Sequence, residues 1–339
     1  MADFQCSPPL NKYCSDSDLG KCSPLKVGYI VNPRSHFNRK RDSELSLSGD
    51  VLASRPADLS DLRAELSRLA LAGIDLLVIS GGDGTVRDIL THGQSAFGSA
   101  WPKIALLPRG KTNALASDLR VPRGWTLADA VQAAQVGRLK TRRPISIMRT
   151  HGTDRTPLLG FVVGAGAFKE ATKAGQRAHS LGAFQSLAVV LTAFWAFAQS
   201  LLATRQNKWR RGARMTINLG SDNIPLVHSG LGDPAYRQIF FASSLRTLPA
   251  RINPFGDVPG GLRLLIMDQI ARRTIGLAPL FMLRDRSTGL SRRGIHQIAT
   301  TILTLSIDEE IIVDGEAFPA GTFHIALGPA IRFVAPEPR

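Results

Sequence analysis

The feature that most constrains this chain is the apolar run Leu76-Leu77-Val78-Ile79. It empties into Ser80-Gly81-Gly82-Asp83-Gly84-Thr85 and resumes as Val86-Arg87-Asp88-Ile89-Leu90. A short apolar run that ends at a glycine turn reads as a buried strand, and the spacing beyond it reads as a helix start. Three glycines let backbone N–H groups approach a phosphate, the helix N-terminus adds a favourable partial charge, and Asp83 can orient magnesium or a hydroxyl. The same Gly-Gly and Asp-Gly pairs also build ordinary turns that bind nothing.

Two further apolar runs end in the same way. Val27-Gly28-Tyr29-Ile30-Val31 leads into Asn32-Pro33-Arg34-Ser35, and Ile104-Ala105-Leu106-Leu107 leads into Pro108-Arg109-Gly110-Lys111-Thr112-Asn113. Leu59, Leu62, Leu66 and Leu69 recur at helical spacing between the first two, and 114–119 and 127–136 predict two more helices. This alternation argues for a three-layer α/β domain with a largely parallel sheet and the three loops at its carboxyl edge. Gly110-Lys111-Thr112 has the ending of a Walker A loop. Ala105 stands where that motif needs glycine, however, and Pro108 stiffens the turn, so a P-loop is rejected.

After about Arg143 the pattern changes to strands separated by turns, predicted at 145–148, 158–163, 215–219, 238–243, 262–267, 302–307 and 322–327. A β-rich, sandwich-like second domain is the natural reading. Near its end Ile311-Ile312-Val313-Asp314-Gly315-Glu316 places Asp-Gly between apolar runs, the signal of a type I′ hairpin.

The order Gly81-Gly82-Asp83-Gly84-Thr85 resembles the signature of the diacylglycerol kinase catalytic family, which includes sphingosine and ceramide kinases and is distantly similar to NAD kinases. Asn32-Pro33-Arg34-Ser35 is similar to the family's Asn-Pro-x-Ser-Gly nucleotide loop, with His36 in the place of glycine. The segment from Pro108 to Asn113 is similar to Pro-x-Gly-Thr-x-Asn, with Lys111 in place of the threonine and Thr112 displaced by one position. Asp314-Gly315-Glu316 looks like the Asp-Gly-Glu segment whose carboxylates are implicated in activating a lipid hydroxyl. Arg87 and Asp88 replace the usual Asn and Glu. Where many bacterial members have Asp-Asp-Gly-Leu for a structural magnesium network, this chain has Asp257-Val258-Pro259-Gly260-Gly261-Leu262, in which only Asp257 offers a carboxylate.

The resemblance implies an ATP-binding domain over 24–143 and a lipid-substrate domain over 144–339. Asn32, Pro33, Arg34, Ser35, Gly81, Gly82, Gly84, Thr85, Gly110, Lys111, Thr112 and Asn113 would hold Mg2+ and ATP, and Asp83 would position the metal or the phosphates. Asp314 would take the proton of a primary hydroxyl, with Glu316 as its partner or substitute. A hairpin tip is a rigid place to present such a base. The acceptor would be a neutral lipid: diacylglycerol, ceramide or a sphingoid lipid. A soluble enzyme like NAD kinase and a noncatalytic basic protein that binds membranes or nucleic acid are the alternatives. No Gly-x-Ser-x-Gly elbow supports a hydrolase.

The balance of 42 basic against 27 acidic residues, a net charge of +15, implies an anionic partner surface, either nucleic acid or acidic phospholipid. Residues 178–204 carry no formal charge and are rich in Phe, Leu and Val, and Arg205, Lys208, Trp209, Arg210, Arg211 and Arg214 follow them. We read an amphipathic helix that packs on the second domain and dips an apolar edge into the bilayer interface, aided by roughly 1 kcal/mol per basic residue at an anionic surface. The competing reading is a buried helix followed by a solvated basic loop. No nucleic-acid recognition motif accompanies the charge. Cys6, Cys14 and Cys22 lie in a polar leader over 1–23 that reads as disorder, and their spacing matches no zinc pattern. The start Met1-Ala2-Asp3-Phe4 lacks signal-peptide character, so the expected location is cytoplasmic and peripheral to the membrane. Oligomeric state is not legible.

Overall fold

The glycine-turn strand becomes the centre of a parallel sheet. The computed structural model describes residues 25–35, 38, 51–152, 156–172, 207–249, 252–270 and 289–337. The first domain runs β1 (Val27–Val31), β2 (Val51–Ser54), α1 (Leu59–Leu71), β3 (Leu76–Gly81), α2 (Asp83–Phe97), β4 (Lys103–Pro108), α3 (Ala114–Leu119), α4 (Leu127–Gln135) and β5 (Leu139–Arg142). Every residue of β3 is buried, so both faces of the sheet are covered there, as a βα repeat requires. Burying Leu76, Leu77, Val78 and Ile79 contributes roughly 1.5–3 kcal/mol each before conformational entropy is set against it. Helix starts are fixed locally: Asp58 accepts from Ser60 and Asp61 N–H at the head of α1, and Thr126 with Asp129 forms a capping box on α4.

The second domain begins at β6 (Ile145–Arg149) and continues with β7 (Leu158–Gly160), β8 (Val162–Gly166), the short helix α5 (Lys208–Arg211), β9 (Ala213–Leu219), β10 (Ile224–Pro225), β11 (Tyr236–Arg237) and β12 (Ile239–Ser243). It is completed by β13 (Leu262–Met267), β14 (Ile295–Thr300), β15 (Ile302–Ile307), β16 (Ile311–Val313), β17 (Glu316–Phe318) and β18 (Gly321–Leu327). Two sheets result. One is β10-β9-β15-β18-β6-β7 with β11 beside β9, and the other is β14-β13-β12-β8-β16-β17. Alternate residues of both point into one core: Met215 and Ile217, Leu303 and Leu305, and Phe323 and Ile325 meet Val163 and Ala165, Phe240 and Ala242, and Leu264 and Ile266. Such period-two interdigitation is that of a β-sandwich.

The last strand, β19 (Ile331–Val334), does not stay with the second domain as the linear reading over 144–339 expects. It inserts between β4 and β5, parallel to the first and antiparallel to the second, to give the sheet order β2-β1-β3-β4-β19-β5. The reason is apolar demand. Ile331, Phe333 and Val334 are fully buried in the first domain's core, and β4 would otherwise expose an edge. β2, β5 and β14 were not anticipated either. β2 is half-buried throughout and β5 has the polar sequence Leu-Lys-Thr-Arg, so neither carries a strong hydrophobic pattern.

Among the described residues no helix is long and apolar enough to cross a membrane. The expected helix at 178–204, Arg205, His36 and the leader with its cysteines lie outside the described residues.

Candidate active site

Strand register brings the three loops to one level. Val31 pairs with Ser80, Ser80 with Leu107 and Gly81 with Pro108, so Asn32, Gly82 and Arg109 leave the sheet side by side. The ladder extends one bond further on each side, Asn32 N–H donating to Ser80 O at 3.0 Å and Arg109 N–H to Gly81 O at 2.9 Å.

The loops are wired together by side chains. Asn32 donates through Nδ2 to Thr85 Oγ1 at 2.7 Å, while its Oδ1 accepts from Arg34 N–H at 2.8 Å in an Asx turn. Asn113 turns inward in a left-handed conformation (φ 53°) and exchanges two bonds with the Gly110 backbone, at 2.7 and 2.9 Å. Gly82 and Gly110 touch backbone to backbone. A Cβ on Gly110 would stand 2.5 Å from Gly82 Cα and one on Gly82 2.9 Å from Gly110 Cα, so neither position accepts a side chain without parting the loops. α2 starts at Gly82 with no side chain capping it, which leaves a fifteen-residue helix with its positive end at the cleft.

Asp83 is placed differently from the expectation that it orients metal or phosphates. Its Oδ1 accepts from Leu115 N–H at 3.3 Å, and the amides of Asn113 and Ala114 also bond the carboxyl. Asp83 thus caps α3 and locks the third loop onto the second. Burial pushes its pKa up, and those backbone bonds oppose the rise.

The hairpin forms as its Asp-Gly signal predicts. Asp314 (φ 47°) and Gly315 (φ 88°) join Val313 to Glu316 as a two-residue turn with both φ positive. Asp314 Oδ1 accepts from Phe161 N–H at 3.1 Å and Val162 N–H at 2.9 Å, and Oδ2 shares the Phe161 N–H at 3.1 Å. Loss of solvent, and then the nearby Asp83 carboxylate, push Asp314 up to about 7. The Phe161 and Val162 amides and the Arg87 guanidinium act against that rise. A carboxyl group poised near neutrality has the proton affinity of a general base.

Between the domains lies a cavity of about 620 Å³, lined by Asn32, Arg34 and Thr85 from the loops, Leu59, Leu62 and His92 from α1 and α2, and Arg149, Leu158, Glu316 and Phe318 from the sandwich. The structure therefore brings Asn32, Arg34, Thr85 and Glu316 to one cleft. Ser35 and Gly81 are buried beneath it, and Pro33 is exposed beside Arg34. Lys111 and Thr112 are exposed and do not line the cavity. Asp257 is exposed in a turn. Three residues that sequence reasoning missed hold the site up. Asn38 ties Asn32 O and Ser80 O together, Arg109 is buried and donates to Arg123 O and Trp125 O, and the buried Arg87 donates to Val313 O and Glu316 Oε2. No periodicity in the sequence singles out Asn38.

A second seam joins the domains behind the third loop. The buried Asp118 carboxylate accepts from Arg142 Nε at 2.5 Å and from Thr247 N–H at 2.7 Å. Of the basic cluster after 204, Trp209 and Arg210 are buried, Arg210 donating to Ile270 O, whereas Arg211 and Arg214 are exposed.

A parallel sheet gathers three glycine-turn or Asx-turn loops at one edge, and a β-sandwich closes over them and brings in the Glu316 carboxylate. Residues 28–150 match the family model described as the diacylglycerol kinase catalytic domain. A diacylglycerol kinase from Bacillus anthracis strain Sterne is similar over the whole fold, with 16% identity and a TM-score of 0.61, covering 93% of this chain and 98% of that one. A candidate diacylglycerol kinase from the same strain gives 17% identity and a TM-score of 0.63 at the same coverage. No curated protein sequence matches the chain.

Proposed function

We propose that the protein is an ATP-dependent lipid kinase that transfers the γ-phosphoryl group to the primary hydroxyl of a neutral membrane lipid, a diacylglycerol or a ceramide-like sphingolipid. The observation that carries this reading is the arrival of the Asp314 hairpin at the loop edge of the parallel sheet: Glu316 lines the interdomain cleft, and the Asp314 carboxyl group at the turn is held near neutrality and feels the Asp83 carboxylate of the second loop. In the reaction the lipid hydroxyl oxygen attacks the γ-phosphorus, the bond to the β-phosphate bridging oxygen breaks, and ADP leaves. Asp314 accepts the hydroxyl proton. Asn32, Arg34 and Thr85 face the nucleotide phosphates, and the free end of α2 favours their charge. Catalysis then comes mainly from alignment and charge neutralisation.

The donor set does not fit a resident divalent ion. Asp83 is committed to the amides of 113–115 and Asp314 to those of Phe161 and Val162, and among the described residues no group of three or more His, Cys, Asp or Glu is placed to hold a metal. Magnesium arrives on the nucleotide in this reading, where it neutralises phosphate charge.

The enzyme acts at the cytoplasmic membrane face. The +15 charge and the exposed Arg211 and Arg214 support attraction to anionic lipid. The test is transfer of labelled γ-phosphate from ATP to diacylglycerol, ceramide and sphingosine in mixed micelles, with NAD as a further acceptor. Labelling of one lipid, reduced to a residual rate in Asp314→Asn, is expected. Labelling of NAD alone, or of nothing while ATP still binds, overturns the reading.

A further inference from the structure

We propose that Arg87 is a positioning residue for this reaction: anchored on α2 of the first domain, its guanidinium grips both strands of the Asp314 hairpin of the second and keeps a positive charge beside the Asp314 carboxyl group. The proposal rests on the reading of Asp314 as the base. Arg87 follows Asp83 by one helical turn, and only 3% of its side chain is exposed. Nη2 lies 2.6 Å from Glu316 Oε2 and 2.7 Å from Asp88 Oδ1, Nη1 donates to Val313 O at 3.3 Å, and Nε donates to Asp88 Oδ1 at 3.1 Å. The guanidinium carbon stands 5.4 Å above the centre of the Phe318 ring.

These contacts fall on the hairpin on either side of its turn, Val313 on β16 and Glu316 and Phe318 on β17. β17 is three residues long and, among the described residues, ends its sheet, pairing with β16 alone. Such an edge strand needs a hold from outside, and a planar fork of five N–H donors that also stacks on a ring supplies one that an ammonium group could not. The turn is then clasped from two sides, by the Phe161 and Val162 amides on the Asp314 carboxyl group and by Arg87 on the flanking strands.

The charge has its own consequence. The charged groups acting on Asp314 are Asp83 and Arg87, both from α2, with Asp88 and Glu316 bonded to the arginine, while Phe161 and Val162 present amides. Asp83 favours the protonated acid and Arg87 opposes it. Removing the arginine therefore moves the carboxyl group further above neutrality. Glu316 is 60% exposed and Arg87 is not, so the arginine is the fixed member of the pair and the glutamate the replaceable one.

The test compares Arg87→Ala and Arg87→Lys by amide hydrogen exchange over 311–318 and by the pH dependence of phosphate transfer. Arg87→Ala is expected to raise exchange across the hairpin at least tenfold while β3 stays protected, and to shift the acid limb of the rate profile to higher pH. Arg87→Lys is expected to return the limb close to the wild-type position while the hairpin stays under-protected, because it restores charge without the fork. Unchanged hairpin exchange in Arg87→Ala, or an unmoved acid limb, overturns the proposal. If Arg87→Ala does not fold, Arg87→Lys decides it: hairpin protection equal to wild type overturns it. If the wild-type protein phosphorylates no lipid, the functional reading fails by itself, and hydrogen exchange still judges the clasp.

Discussion

Asp314→Asn should make the protein more stable, and more so at alkaline pH. The carboxyl group has a pKa of about 7 in the fold against 3.8 in the open chain. A raised folded-state pKa means that the native state holds the proton more tightly. The group's stabilising contribution is therefore intact below pH 4 and is lost as pH climbs through 7. At 1.36 kcal/mol per unit, holding Asp314 in the fold costs about 4 kcal/mol at pH 8, where the group is ionised, and about 2 kcal/mol at pH 5, where it must take up a proton. Asparagine keeps an oxygen for the Phe161 and Val162 amides and loses the shared bond to Oδ2, worth about 1 kcal/mol. The variant should then gain about 3 kcal/mol at pH 8 and about 1 kcal/mol at pH 5. At about 2 °C per kcal/mol, the melting temperature should rise about 6 °C at pH 8 and about 2 °C at pH 5. Thermal unfolding followed by circular dichroism at the two pH values measures this. An equal shift at both, or a less stable variant at pH 8, refutes the placement of Asp314 as a high-pKa buried acid.

Two further substitutions probe the frame around it. Gly110→Ala puts a Cβ 2.5 Å from the Gly82 backbone, so the loops must separate. An ångström of misplacement should cost about 10²-fold in transfer rate with a folded protein, read by kinetics and circular dichroism together. Asp118→Asn strips the buried Arg142 of its counter-charge and should cost about 3 kcal/mol, seen as a lower melting temperature.

The site was legible where local chemistry dictates conformation. Strand, glycine turn and helix follow one another at Leu76–Leu90 because hydrophobic runs and glycines act within a few residues, and Asp314-Gly315 forms a hairpin for the same reason. What stayed hidden depends on partners far away in sequence. Nothing near Arg87 reveals that it will meet Glu316 more than two hundred residues later, and Asp83 reads as a ligand until the amides of α3 arrive to occupy it. β19 was not foreseen, and an apolar run names no sheet; β4 lacked a neighbour, and Ile331–Val334 supplied one. Most of the second domain's strands were found by alternation, β10, β11 and β14 excepted, while their distribution between two sheets emerges only from pairing.

The central claim is that Asp314 takes the proton of an attacking lipid hydroxyl, and the pH dependence of γ-phosphate transfer in the wild-type protein and in Asp314→Asn tests it most directly. An acid limb near pH 7 in the wild type, and a residual rate without that limb in the variant, is the predicted result. A limb that survives unchanged in Asp314→Asn, or a flat wild-type profile across neutrality, would assign the proton transfer to another group.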